Sequence, residues 1–174
     1  MPDHWMTNTS VIWITGLSGS GKTTIATALA GELRSSNKAV VVLDGDHLRQ
    51  VFGADPDYSI AGRERQVRRL QRLAKAISDQ GVIVIVAALY PNPELLSWNR
   101  QNIDKYYEIY LRASVEFLSK NRDIKGLYRK ALVNEIDDVV GVQIPWVKPE
   151  SPDLIIPVDD SLSIDDILYK ILSN

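Results

Sequence analysis

The sequence predicts an α/β domain in three layers, a mostly parallel five-stranded sheet flanked by helices. Three observations predict it. Short apolar, β-branched runs alternate with helix-favouring stretches along the chain, the pattern of strands joined by right-handed helical crossovers. Val82-Ile83-Val84-Ile85-Val86 is apolar at every position, which suits a central strand covered on both faces. Gly16-Leu17-Ser18-Gly19-Ser20-Gly21-Lys22-Thr23 fits G-x-x-x-x-G-K-[ST], a phosphate-binding loop, and it stands between a strand run and a helical stretch as that loop requires.

In chain order, the first strand is expected over 11–15, where Val11-Ile12-Trp13-Ile14-Thr15 is β-branched and apolar. A helix over 23–35 follows the glycine loop. Strands are expected over 39–43, 82–87, 107–111 and 154–158, and further helices over 61–80, 93–102, 114–121 and 163–172. Ser163 before Ile164-Asp165-Asp166 reads as an N-cap with acidic residues in the first turn. Asp79-Gln80-Gly81 reads as a glycine stop for the long middle helix. The segment 125–152 is irregular and rich in Gly, Pro and charge, and reads as a lid over the substrates. With no repeat or linker, residues 1–174 form one domain of the P-loop NTPase fold class.

Composition narrows the function. The chain has 174 residues, 45% hydrophobic and 24% charged, enough for one sizeable core. A net charge of −2 argues against a nucleic-acid polymer as partner. The absence of cysteine excludes disulfides, thiolate catalysis and Cys-ligated zinc. No apolar run reaches the ~18 residues of a membrane span. The first ten residues lack a secretion-signal pattern. A cytoplasmic location is therefore expected.

The glycine loop assigns chemistry directly. Backbone N–H groups of Gly16, Ser18, Gly19, Ser20 and Gly21, with the helix start at Lys22, Thr23 and Thr24, would cradle the phosphates of ATP. Lys22 would reach the β- and γ-phosphates and Thr23 would hold Mg²⁺. A second constellation, Leu43-Asp44-Gly45-Asp46, closes the second strand run, at the sheet edge where ligands bind in open parallel folds. One carboxylate can serve Mg²⁺ or its water, and the other can take a proton from an attacking hydroxyl. The same residues also read as an Asp-Gly turn with Asp46 as a helix N-cap.

Taken in order, the glycine loop, Leu43-Asp44-Gly45-Asp46 with Arg49, Arg63 with Arg68-Arg69, Lys125-Gly126-Leu127-Tyr128 and Pro149-Glu150-Ser151-Pro152 resemble the adenylyl-sulfate (APS) kinase family, which uses MgATP to phosphorylate the 3′-hydroxyl of APS. The resemblance runs from about residue 11 to about residue 172. It implies that Asp46 is the base or orienting group at the acceptor hydroxyl and that Asp44 serves metal or water. Arg49 and Arg63 would grip the acceptor anion, for which a planar guanidinium fork is suited. Lys125 would close over the substrates as part of the catalytic set. Arg122 would pack near the adenine of ATP. Tyr58, Gln66, Leu89 and Val139 would contact the acceptor, and the protein would be a homodimer. Read without the resemblance, Lys125 is an ordinary loop lysine. The arginines of 63–72 are then a solvated helix face, and Tyr128, Trp13, Trp98 and Trp146 are packing aromatics.

The sequence departs from the family pattern on the acceptor side. Phe-Ser becomes Tyr58-Ser59. The Asp-Arg pair becomes Gly62-Arg63, and the following Asn becomes Gln66. Ile-Ser-Pro becomes Leu89-Tyr90-Pro91, so no phosphoserine can form there. Phe-Thr-Gly becomes Val139-Val140-Gly141, and the lost aromatic would weaken base stacking by ~1–3 kcal/mol. Three functions are therefore weighed. The first is an APS kinase. The second is a kinase of another small anionic nucleotide, such as the cytidine diphosphate derivative cytidine diphosphoramidate. The third is a nucleotide-binding module without transfer activity, against which the retained Lys22, Thr23, Asp44, Asp46 and Arg49 speak.

Overall fold

A computed structural model describes residues 9–53, 57–90, 92–158 and 162–173. Five strands form one sheet: β1 (Val11–Thr15), β2 (Val40–Asp44), β3 (Ile83–Ala87), β4 (Tyr106–Arg112) and β5 (Leu154–Pro157). Their order is β2-β3-β1-β4-β5 and every pairing is parallel. Seven helices accompany them among the described residues: α1 (Lys22–Ser35), α2 (Gly45–Val51), α3 (Ile60–Ser78), α4 (Glu94–Asn102), α5 (Val115–Asn121), α6 (Leu127–Leu132) and α7 (Ile164–Leu172).

The expected mostly parallel sheet is thus wholly parallel, and each strand lies within two residues of its expected bounds. Helix α6 is an addition that follows Gly126, and α2, which the Asp46 cap reading allows, begins two residues earlier at Gly45. Pro91, in the expected Leu-Tyr-Pro stretch, and residues 1–8 lie outside the described residues.

The strands alternate in the layer they serve, the two-residue period of a pleated sheet. Ile12 and Ile14 pack with Leu29, Leu33, Leu118, Ile167 and Ile171, the layer of α1, α5 and α7. Val11 and Trp13 pack with Val67, Leu70, Leu95 and Leu96, the layer of α3 and α4. Burial on both faces explains why β1 and β3 read as unbroken apolar runs.

This topology places the site. The chain leaves β1 through α1, passes over β3 and returns as β2, so the crossover direction changes beside β1. Clefts form at the carboxyl ends of strands at such switch points. Asp44 pairs in register with Ala87, and Ala87 with Ile14. The Asp44–Asp46 segment therefore stands two strands from the glycine loop, on the same sheet edge.

Candidate active site

The glycine loop joins β1 to α1 in a tight arc. Gly16, Gly19 and Gly21 have φ of 152°, 80° and 97°, values that side-chain-bearing residues rarely adopt. A Cβ at Gly16 would also come within 2.6 Å of the Leu111 carbonyl oxygen, so the loop is pressed against β4. Gly21 is the N-cap of α1 and no side chain caps that helix start. Its first N–H groups are thereby left for an anion, with the helix dipole behind them. Ser20 is 1% exposed, and its hydroxyl finds no partner among the described residues. These features fit a polyphosphate.

Lys22 lies across the arc. Its Nζ donates to the carbonyls of Gly16 at 2.9 Å and Leu17 at 2.8 Å. Desolvation lowers its pKa to about 8, against the opposing pull of Asp46 and then Asp44. The lysine is therefore an ammonium near neutrality, held where phosphate oxygens would replace the two carbonyls.

Asp44 serves two partners. Its Oδ2 accepts from the Thr23 hydroxyl at 2.6 Å. Its Oδ1 accepts from the backbone N–H of Asp46 at 2.9 Å and His47 at 3.0 Å. It is thus Asp44, not Asp46, that caps α2, because an extended residue one before the helix can reach the second and third N–H groups. Asp46 is left exposed in the first turn. The adjacent hydroxyl and carboxylate of Thr23 and Asp44 are hard oxygen donors suited to Mg²⁺. No group of three or more His, Cys, Asp or Glu side chains placed to hold a metal occurs among the described residues.

The residues expected to contact the acceptor form a second cluster. The guanidinium of Arg49 lies 4.8 Å and that of Arg63 5.4 Å from the Tyr58 ring centre, cation–π distances. Arg63 donates through Nε to the Tyr58 carbonyl at 2.8 Å and through Nη2 to the Asp138 carbonyl at 2.7 Å. Burial, and then the neighbouring Arg49 charge, lower the Arg63 pKa, while Asp46 raises it. Asp46 is thus electrostatically coupled to Lys22 on one side and to Arg63 on the other. Gln66 is 4% exposed and donates to the Gly45 carbonyl at 3.1 Å. The cluster therefore leans against the start of α2.

The remaining expected residues divide. Arg122 lies over the glycine loop, with its carbonyl 3.4 Å from a Cβ built at Gly19 and its Nη1 3.7 Å from one at Gly21. Its guanidinium is 5.5 Å from the Phe117 ring. Thr24 and Lys125 are exposed. Leu89 is half-buried against the core. Val139 is 4% exposed within the apolar core, and its N–H donates to Gln143 Oε1 at 3.2 Å. The structure thus presents no side-chain surface of Val139 to a base, and it is the Asp138 carbonyl beside it that meets Arg63.

The segment expected to act as a lid is tied to the body. Tyr128, Ala131, Val140 and Ile144 are buried in the same core as Val139. Two residues read as packing also hydrogen-bond, and Trp146 does so from Nε1 to the Tyr110 hydroxyl at 3.2 Å. The Tyr128 hydroxyl donates to the Ser18 carbonyl at 2.7 Å. Trp146 lies 5.0 Å from the Tyr90 ring and 6.1 Å from the Tyr110 ring. Tyr90 itself is 1% exposed and donates to the Val147 carbonyl at 2.7 Å. No local sequence signal marks these contacts, whose partners are 57 and 110 residues apart.

Comparison with known proteins gives the loop and the acid pair a family. The model of the adenylylsulphate kinase family matches residues 8–157. This chain belongs to the adenylylsulphate kinase family. Its relatives include a cytidine diphosphoramidate kinase of Campylobacter jejuni, 45% identical over 149 residues, covering 86% of this chain and 86% of the relative. An adenylyl-sulfate kinase of Bacillus licheniformis is 41% identical over 149 residues, covering 84% of this chain and 75% of the relative. Among solved structures, the Mycobacterium tuberculosis APS kinase in complex with AMPPNP and APS superposes with a TM-score of 0.86 at 33% identity, covering 95% of this chain and 96% of that one. As a member of this kinase family, the chain is a phosphotransferase with a hydroxyl acceptor, on a P-loop kinase fold. No helix among the described residues is long and apolar enough to cross a membrane.

Proposed function

We propose that this kinase transfers the γ-phosphate of ATP to the ribose 3′-hydroxyl of a cytidine diphosphate derivative such as cytidine diphosphoramidate. The burial of Val139 carries the choice of acceptor. Where the adenylyl-sulfate kinase pattern has a phenylalanine, this chain has a valine turned into the core. A purine acceptor would lose a stacking partner there, and a smaller pyrimidine asks less of that position. The 45% identity to the Campylobacter jejuni enzyme supports the same choice. Adenylyl sulfate, placed first by the sequence resemblance, is the second reading. The relatives named adenylyl-sulfate kinase favour it, as does the retained pairing of Arg49 and Arg63 over Tyr58.

The roles of the residues are the same in both readings. The glycine loop and the bare start of α1 bind the triphosphate, and Arg122 borders the nucleotide. Thr23 and Asp44 would hold Mg²⁺, which when bound supplies positive charge to the transferring phosphoryl group. Lys22 leaves the loop carbonyls for phosphate oxygens. Arg49 and Arg63 orient the acceptor through its anionic group, and Tyr58 supplies an aromatic face. Asp46 accepts the proton of the attacking hydroxyl. Lys125 and the 125–152 segment exclude water from the transfer. A homodimer in the cytoplasm completes the proposal.

The deciding experiment offers the purified protein MgATP with either acceptor and follows ADP release. Turnover with cytidine diphosphoramidate at a kcat/KM above that for adenylyl sulfate supports the first reading. The reverse order of kcat/KM establishes the second. ADP release with neither acceptor, with ATP still bound, would leave only a nucleotide-binding module.

A further inference from the structure

Gly62 lies in the first turn of α3 with no positive φ to call for a glycine. Space calls for it. A Cβ at position 62 would lie 2.2 Å from the Asp57 carbonyl oxygen, 2.5 Å from its Cγ and 2.8 Å from its Oδ2. No heavy atoms approach so closely, so Asp57 occupies the volume that a side chain at 62 would need. The family pattern has its aspartate at 62. Here a carboxylate enters the same turn from position 57.

Asp57 is fastened at that place. Its Oδ1 accepts from the Ser59 N–H at 3.0 Å and its Oδ2 from Arg65 Nη2 at 2.6 Å. Ser59 and Arg65 together hold its carboxyl below the usual carboxylate range. The backbone of the same segment aims both acceptor-side arginines. The Asp57 carbonyl accepts from Arg49 Nη1 at 3.2 Å, and the Tyr58 carbonyl accepts from Arg63 Nε at 2.8 Å. Both guanidiniums also lie at cation–π distance from the Tyr58 ring, the only ring among the described residues with two such partners.

We infer that Asp57 is a positioning residue for acceptor binding, and that Gly62 is the vacancy that admits it. Anchored by Ser59 and Arg65, Asp57 fixes the carbonyls of 57 and 58, and these fix the direction of Arg49 and Arg63. The inference rests on the reading of those two arginines as the acceptor's anion grip. The glycine at 62 and the aspartate at 57 then form one exchange, which moves the acid off α3 while keeping the arginines aligned.

Kinetics with both acceptors named above test it, with adenylyl sulfate and cytidine diphosphoramidate as probes. Asp57→Ala removes atoms and adds none, so the fold is expected to persist. It should raise the acceptor KM on the order of tenfold, because small misplacements of binding groups are costly, and leave the ATP KM unchanged. Asp57→Asn keeps an oxygen for the Ser59 N–H and should recover most of the loss. Gly62→Ala should reproduce the Asp57→Ala effect. In an Arg49→Ala, Arg63→Ala background, Asp57→Ala should add little, since the residue acts through those side chains. An unchanged acceptor KM in Asp57→Ala overturns the proposal, as does a parallel rise in the KM for ATP. If the two arginine substitutions raise the acceptor KM and Asp57→Ala does not, this inference alone falls. If the arginine substitutions have no effect, the reading of the acceptor grip falls first.

Discussion

The Tyr128 hydroxyl donates a 2.7 Å hydrogen bond to the Ser18 carbonyl, at the crest of the glycine loop. Tyr128 is 1% exposed, and α6, which carries it, is capped by Asp123 through the N–H groups of Tyr128 and Arg129. The segment beyond α5 thus braces the phosphate-binding arc from outside. Tyr128→Phe keeps the ring and removes the brace. It should cost about 1 kcal/mol of stability, the net worth of one buried hydrogen bond. It should also raise the ATP KM several-fold with little change for the acceptor. Equal changes in both KM values would show that the bond serves packing alone.

The lowered pKa of Lys22 gives ATP binding a pH dependence. Its folded value of about 8 lies below its ordinary 10.5, so between those two values the unfolded chain binds more protons than the folded one. The unliganded protein should therefore gain stability as pH rises from about 8 toward 10.5. ATP affinity should move the opposite way and fall above about pH 8, because the phosphates need the ammonium form. Calorimetric titration in buffers of different ionisation enthalpy should detect proton uptake on ATP binding above that pH. An affinity flat from pH 7 to pH 9.5 would contradict the assigned role.

Lys22→Met should abolish transfer and leave the unliganded thermal midpoint unchanged or higher, since it removes a desolvated charge. A clear drop in the midpoint would mean that the lysine's bonds to Gly16 and Leu17 hold the loop together.

Asp46 faces solvent while coupled to Lys22 and Arg63. Asp46→Asn should retain ATP binding and lower kcat by roughly 10²-fold or more, the scale of a lost general base. Because Asp44 and not Asp46 caps α2, the substitution should leave the helix and the melting temperature intact. A fully active variant would remove Asp46 from the mechanism.

Tyr90 ties the end of β3 to Val147. Tyr90→Phe should destabilise the protein by about 1 kcal/mol, and limited proteolysis should cut faster near 147. Unchanged cleavage there would show that Trp146, wedged between Tyr90 and Tyr110, suffices to hold the segment.

Much of this was legible in the residues. Strands β1 and β3 were readable because burial on both faces makes them almost wholly apolar, and the loop because its glycines and lysine stand at fixed spacing. The start of α2 was legible as a capped helix, but the cap was assigned to Asp46 where Asp44 supplies it, because either aspartate of Leu-Asp-Gly-Asp can serve. Gly126, at φ 65°, disguised the start of α6. Position 139 read as a contact because its neighbours align, but a side chain's direction there depends on the turn closed by Gly141 and Ile144. Tyr128, Tyr90 and Asp57 gained their roles from tertiary neighbours, which no local pattern encodes.

The two oxygens of Asp44 point to opposite halves of the cleft, one to the Thr23 hydroxyl and one to the backbone that begins α2. The helix bearing Asp46 and Arg49 is therefore hung from the donor loop by a single side chain. Such a joint leaves natural variation little freedom at its centre, because any change there disturbs both reactants together. The departures at 58, 62, 66, 90 and 139 lie away from that joint, and all but Tyr58 are buried, so they can reshape the second half of the cleft from beneath and leave the bond between Thr23 and Asp44 untouched.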